Sequence, residues 1–272
     1  MTNDGAFRVV TARTTETVRA AVAAQGITGD TARHFADLLT GVVLLRITMA
    51  PQLRVQGIIR GRDTGTLVAD SHPTGKTRGL VTRASGKEEV DVGPGSLLRL
   101  MRTLYDGSLQ QGLVEVPEGG VAQGLMTYLQ SSENMSTMVA VSTVMDGPDV
   151  TAAGGYLVQL LPEAQRGPLM IMTERLEDFR SVDDRVVRPD FSPASLMSDL
   201  LYAMPFTALG ETNVRFECWC SHLSVVSALA SLPRSDIQQM IDEGDVLEIR
   251  CDYCNAEYRV PPAELRGLLE AS

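Results

Sequence analysis

Lysine is almost missing from this chain of 272 residues: only Lys76 and Lys87 occur, and the other 22 basic residues are arginine. Against 34 Asp and Glu, the basic residues leave a formal net charge of −10. A phosphate backbone calls for a basic face, so this balance excludes nucleic acid as the main partner. Aromatic residues are scarce at 5%, with a single tryptophan, Trp219. No apolar run reaches the ~18 residues of a membrane span. The opening residues Met1-Thr2-Asn3-Asp4-Gly5 are polar and acidic with no apolar run behind them, so no secretory leader is expected. Cysteine is absent from the first 217 residues.

What the first four-fifths lack, the last fifth concentrates. All four cysteines lie in Cys218-Trp219-Cys220 and Cys251-Asp252-Tyr253-Cys254, with 30 residues between the pairs. A C-x-C pair facing a C-x-x-C pair supplies the four thiolates of a tetrahedral zinc site, at ~2.3 Å per sulfur. The same two pairs are also able to become two disulfides, because neighbouring thiolates serve both as ligands and as redox partners. Without a leader, four cysteines point to the reducing cytosol, where they read as metal ligands or redox thiols rather than fixed staples.

Apolar residues make up 44% of the chain, enough for a buried core. Residues 14–25 favour a helix, with Val18, Ala21 and Val22 at helical spacing and Gly26 as its stop. Asp30 is expected to cap a second helix over 31–49, whose stripe is Phe35, Leu38, Leu39, Val42, Val43 and Ile47. Strands are predicted at 52–60, 65–69, 79–83, 112–116, 137–144 and 154–161, with a helix at 119–129. These make an α+β core over residues 1–165. Prolines and two short helical patches, 169–180 and 193–204, mark a helical linker over 166–213 whose helices need a surface to lie on.

Residues 214–272 form a small C-terminal zinc-binding domain. A strand at 216–220 leads to the first cysteine pair, and Ser221 caps a helix reaching about residue 232. Ser235 is expected to cap a second helix ended by Gly244. A strand at 246–250 enters the second pair, 258–260 leaves it, and Pro261-Pro262 opens a final helix. From Arg215 onward five arginines face ten carboxylates. So polar a unit has a thin core, and a metal is the expected staple. Its acidity opposes a nucleic-acid finger. His222 is an alternative ligand, but it reads better as a surface histidine in the first turn of a helix, because four thiolates already complete the site. Arg215, Arg250 and Arg259 offer local positive potential near the thiolates.

Cys218-Trp219-Cys220-Ser221, the 30-residue spacer, and Cys251-Asp252-Tyr253-Cys254 with Asn255 and Tyr258 resemble the redox-regulated holdase chaperones of the heat-shock protein 33 kDa family. In the core, residues 152–162 (AAGGYLVQLLP) and 128–134 (YLQSSEN) resemble that family's segments, as do Arg78-Gly79 and the strand around Gly57. The chain departs from the pattern at Leu109-Gln110-Gln111 before Gly112, at Asn134, and over 84–105. The resemblance implies a non-enzymatic, ATP-independent chaperone of the cytoplasm. One Zn2+ per chain is held by Cys218, Cys220, Cys251 and Cys254 in an inactive reduced form. Oxidation forms Cys218–Cys220 and Cys251–Cys254 disulfides, zinc leaves, and the small domain and then the linker unfold. Exposed apolar surface then binds unfolded clients, and the active protein is a homodimer. The alternative is a constitutive zinc-stabilised adaptor that never switches.

Other signals carry less. The segment 70–77 (DSHPTGKT) ends like a phosphate-binding loop, but lacks its first glycine and leads into a strand-like stretch, so no nucleotide is expected. A thiol oxidoreductase places its C-x-x-C at a helix start in a βαβ frame, which is missing here. The methionines, among them Met101, Met126, Met135, Met138, Met170, Met172 and Met197, suit either core or an adaptable client surface. Asp37 and Glu133 show no acid–base partner arrangement.

Overall fold

The computed structural model describes residues 1–49 and 51–270; the last two residues of the expected C-terminal domain lie outside the described residues. Strand β1 (Phe7–Arg13) precedes helices α1 (Thr15–Gln25) and α2 (Gly29–Met49). Strands β2 (Val55–Gly61), β3 (Gly65–Ser71), β4 (Lys76–Arg83), β5 (Leu97–Thr103) and β6 (Leu109–Glu115) follow. Then come α3 (Gly120–Ser132), β7 (Thr137–Asp146) and β8 (Asp149–Leu160). Helices α4 (Arg166–Glu177), α5 (Asp183–Val186) and α6 (Pro193–Leu200) lead to a two-residue strand, β9 (Arg215–Phe216). The remaining elements are α7 (His222–Leu229), α8 (Arg234–Glu243), β10 (Leu247–Arg250), β11 (Glu257–Val260) and α9 (Pro262–Glu270). The α+β expectation holds, and by internal packing the chain divides into Met1–Glu217 and Cys218–Ser272.

In the first unit, helix α2 is apolar almost all round, and such a helix is stable only when surrounded. It packs against β3 on one side and against β7 and β8 on the other. Phe35, Leu38, Leu39, Leu44 and Leu45 are fully buried in this core. A six-stranded sheet runs in the order β6-β5-β2-β3-β4-β9. A three-stranded antiparallel sheet runs β1-β8-β7. The period-2 alternation of its central strand splits two cores. Ala153 and Leu157 face the α2 side, whereas Ala152, Tyr156 and Val158 face the other.

That other face is covered by the linker helices. Met172, Phe179, Val182, Val186, Phe191, Leu196 and Leu200 close over Phe7, Val9, Tyr156 and Val158. Tyr156 donates its phenol hydrogen to the Phe179 carbonyl at 2.8 Å, and the two rings meet edge to face at 6.4 Å. The Arg185 guanidinium lies 3.8 Å over the Phe179 ring. Gly154 makes the docking fit: a Cβ there would stand 2.6 Å from the Ala12 carbonyl and 2.9 Å from the Phe191 ring. Ser192 caps α6 through a capping box with Ser195.

Several local expectations are corrected. Strands β1 and β5 have no counterpart among the predicted strands; β1 pairs with β8 and β5 with β2, and such long-range pairing leaves little local signal. Asp30 lies inside the first turn of α2 rather than capping it, and its carboxylate accepts from Arg33 at 2.6 Å. The strand expected at 216–220 is only Arg215–Phe216, in parallel register with β4 of the first unit. As the strand-like reading of the residues after it implied, Lys76 opens that strand β4 rather than a helix, and it ion-pairs with Glu217. Asn134 takes the left-handed region at φ 53°, which asparagine tolerates. Met126 and Met135 pack on the first core, Met172 is buried in the second with Met138 and Met197 against it, and Met170 is 71% exposed.

The second unit has a small core of Leu229, Ile237, Ile241, Val260 and Leu265. Its β10–β11 hairpin is antiparallel, from Leu247↔Val260 to Arg250↔Glu257. Ser221 caps α7 as expected, but α8 is capped at Pro233 with Ser235 inside the helix; Gly244 stops it at φ 79°.

Candidate metal centre

Two local structures deliver the cysteines. The first pair lies directly before α7, where the Ser221 hydroxyl accepts from Ser224 N–H and the Ser224 hydroxyl accepts from Ser221 N–H, at 3.2 and 2.8 Å. This capping box fixes the chain direction at Cys220. The helix start behind it is electropositive, which favours a thiolate. The second pair sits in the β10–β11 loop. Cys251 N–H donates to the Ala256 carbonyl at 2.9 Å, and Asn255 N–H donates to the Cys251 carbonyl at 2.8 Å. The tight return needs a left-handed residue, which Asn255 supplies at φ 60°.

The four sulfurs converge: all lie within 4.8 Å of one another. Cys218 Sγ is 3.8 Å from Cys251 Sγ, and Cys220 Sγ is 3.4 Å from Cys254 Sγ. Four sulfurs each ~2.3 Å from one ion stand about 3.8 Å apart along each tetrahedral edge. The spacing is far longer than the ~2.05 Å of a disulfide, and none of the four cysteines is disulfide-bonded. An all-thiolate donor set of this size fits zinc.

Without a cation Cys220 and Cys254 resist ionisation. Burial pushes the Cys254 thiol up to about 12, and burial raises Cys220 as well. A divalent cation inverts that preference, because a coordinating thiol is deprotonated outright. Two donors soften the cost. Tyr258 Oη donates to Cys220 Sγ at 3.0 Å, and the Ala256 backbone N–H favours the Cys254 thiolate. The Tyr258 phenol is itself pushed up to about 12, first by its bond to Cys220.

His222 stands at the start of α7, half-exposed, and its Nε2 lies 2.8 and 3.0 Å from the two Glu264 oxygens. It is turned to a carboxylate and is not part of the sulfur cluster. The positive potential expected from Arg215, Arg250 and Arg259 is offset, because they pair with Glu217, Glu257 and Glu248 at 2.6, 3.4 and 2.8 Å. Sequence reasoning missed the Tyr258–sulfur bond and the His222–Glu264 pair. Tyr258 lies four residues beyond Cys254 on the returning strand, a spacing that signals a neighbour only once the hairpin is known.

Outside this unit, Asp37 is buried beside Thr143, which donates to it at 2.7 Å, and burial pushes its carboxyl up to about 7. Glu133 accepts from Tyr128 at 2.9 Å and pairs with Arg102 at 3.1 Å. Each is held by its own structural partners. Among the described residues no helix is long and apolar enough to cross a membrane.

A family model described as Hsp33 protein matches residues 1–261. A 33 kDa chaperonin of Shouchella clausii (strain KSM-K16) is 29% identical over 280 residues, covering 98% of this chain and 94% of the relative. One of Streptococcus pneumoniae (strain JJA) is 27% identical over 289 residues, covering 99% and 96%. The crystal structure of a 33 kDa chaperonin (heat shock protein 33 homolog) from Thermotoga maritima superposes with a TM-score of 0.83 at 21% identity, over 98% of this chain and 95% of that one.

Proposed function

The chain belongs to the Hsp33 protein family, and on that premise we propose that it is a redox-regulated, ATP-independent holdase chaperone of the cytoplasm. In its reduced, inactive form one zinc ion is held by Cys218, Cys220, Cys251 and Cys254. An oxidant such as peroxide converts each local pair into a disulfide, Cys218–Cys220 and Cys251–Cys254, and the zinc leaves. The observation that carries this reading is the convergence of four cysteine sulfurs, two from each short loop and none in a disulfide, within 4.8 Å.

The energetics support the sequence of events. A structural zinc is worth roughly 10–16 kcal/mol of folding free energy in a small module. Among the described residues the core of the second unit has only five buried side chains, so losing the ion unfolds it. The linker helices, of 12, 4 and 8 residues, are too short to persist undocked. Their release bares Phe7, Val9, Ala140, Ala152, Tyr156 and Val158 on the three-stranded sheet. That face offers apolar area to unfolding clients, and the active protein pairs as a homodimer. The work is binding rather than catalysis, and no nucleotide enters it.

The test loads reduced protein with zinc and treats it with peroxide at heat-shock temperature. Zinc release and suppression of client aggregation are expected to rise together. Zinc that stays bound, or that leaves without any gain in holdase activity, overturns the switch and leaves a constitutive zinc-stabilised adaptor.

A further inference from the structure

We infer that Tyr258 is a positioning residue that restrains the Cys220 sulfur, setting how readily the thiolate centre yields to oxidant. The inference rests on the function proposed above and adds a group outside the four ligands. Tyr258 Oη donates to Cys220 Sγ at 3.0 Å, a short contact of the kind an ionised acceptor draws. The phenol is well placed to keep that contact. It projects from β11, whose register with β10 sets Tyr258 opposite Ile249. The His222 ring stands 6.5 Å from the Tyr258 ring, and Glu264 holds that imidazole from α9 at 2.8 Å. Side chains from α7 and α9 thus stand beside the phenol that reaches this sulfur.

A hydrogen bond to a thiolate withdraws electron density from it, so the sulfur attacks less eagerly. In the oxidation itself a cysteine thiolate displaces hydroxide from peroxide: an S–O bond forms, the O–O bond breaks, and a sulfenic acid results. The neighbouring thiolate then displaces hydroxide from that sulfenic sulfur and the S–S bond forms. Two thiolates lose two electrons in all, and one peroxide becomes two hydroxides. Both steps are nucleophilic attacks by sulfur, and their rate follows sulfur basicity with a Brønsted slope of about 0.4–0.5. Removing one charge-assisted hydrogen bond therefore speeds attack roughly threefold to tenfold.

Tyr258→Phe removes the donor and keeps the ring. With the metal site saturated, peroxide-driven zinc release is expected to accelerate threefold to tenfold. Under limiting alkylating agent, the share of label on Cys220 relative to Cys251 is expected to rise. In the Co2+-substituted protein the sulfur-to-metal charge-transfer band is expected to move to lower energy, since the sulfur lone pair is no longer stabilised. Placing 3-fluorotyrosine at 258, a stronger donor, reverses all three, and it decides the matter if the Phe variant misfolds. Unchanged release rate, labelling share and band energy overturn the role of Tyr258. Failure of the unsubstituted protein to release zinc with peroxide would instead sink the switch itself, so the two failures are distinct.

Discussion

The two units of this chain are stabilised by different chemistry. Among the described residues, the main core cluster of the first unit holds 31 buried apolar side chains and a second, shared by the three-stranded sheet and the linker, holds 15, whereas the core of the second unit holds five. At roughly 1.5–3 kcal/mol per fully buried large apolar side chain, the first unit stands on the hydrophobic effect. The second has no such reserve, and it is the unit in which four thiols converge. A fold resting on dozens of contacts tolerates the loss of one, whereas a fold resting on one ion can be dismantled by one chemical event. That asymmetry suits a switch.

The comparison breaks most sharply at the metal. On the proposed function, Cys218→Ser is expected to weaken zinc binding and to unfold the second unit, removing most of the roughly 10–16 kcal/mol that a structural zinc supplies in a small module. Residue-resolved hydrogen exchange would show protection lost over 218–270 and kept in α2. An unchanged zinc affinity and melting curve would refute it. Acidification probes the same site without mutation. Cys220 and Cys254 have thiols raised above their ordinary value of 9.0 before metal arrives, so both are protonated at neutral pH. Binding them as thiolates releases two protons. Affinity therefore climbs with pH up to those raised values and falls as pH drops, by about a hundredfold per pH unit from these two alone. Competition with a chromophoric chelator at neutral and mildly acidic pH measures the slope, and a flat profile would contradict thiolate ligation.

Two smaller changes sharpen the comparison within the first unit. Gly154→Ala drives a methyl into the Ala12 carbonyl and the Phe191 ring. It is expected to loosen the linker by about 1–3 kcal/mol, seen as faster proteolysis within residues 166–201 at unaltered zinc affinity. If the linker stays as resistant as before, Gly154 is not what seats it. Tyr156→Phe removes only the donor to Phe179 and is expected to cost about 1 kcal/mol. A thermal melt that shifts the first transition and leaves zinc release untouched supports that assignment; a shift in zinc release counts against it.

Much of this was legible because the signals are local. Helix α2 shows its apolar residues at helical spacing, Ser221 shows its cap, and Cys218, Cys220, Cys251 and Cys254 show in their numbering the two close pairs that the fold brings together. Strand β5 and β1 were harder to read, since a strand's place depends on a partner far along the chain. Asp30 and Ser235 look like caps by residue type, yet α2 begins at Gly29 and α8 at Arg234, with no side-chain cap bond at Pro233; residue type alone places a helix start only to within a residue or two. Tyr258, His222 and Glu264 meet only when β11, α7 and α9 fold together.

The sequence by itself determined the composition of each unit: an apolar, cysteine-free stretch able to form its own core, and an acidic, cysteine-bearing one that is not. Spacing and residue type suffice for that, since burial and ligation are properties of the side chains. The tertiary structure alone decided which surfaces are covered. It laid the linker over Tyr156 and Val158, placed Gly154 beneath Phe191, and set a phenol against one of four sulfurs. Those contacts join residues about 20 to 40 positions apart, where only the folded chain, by bringing distant segments within hydrogen-bond and van der Waals range, makes them neighbours.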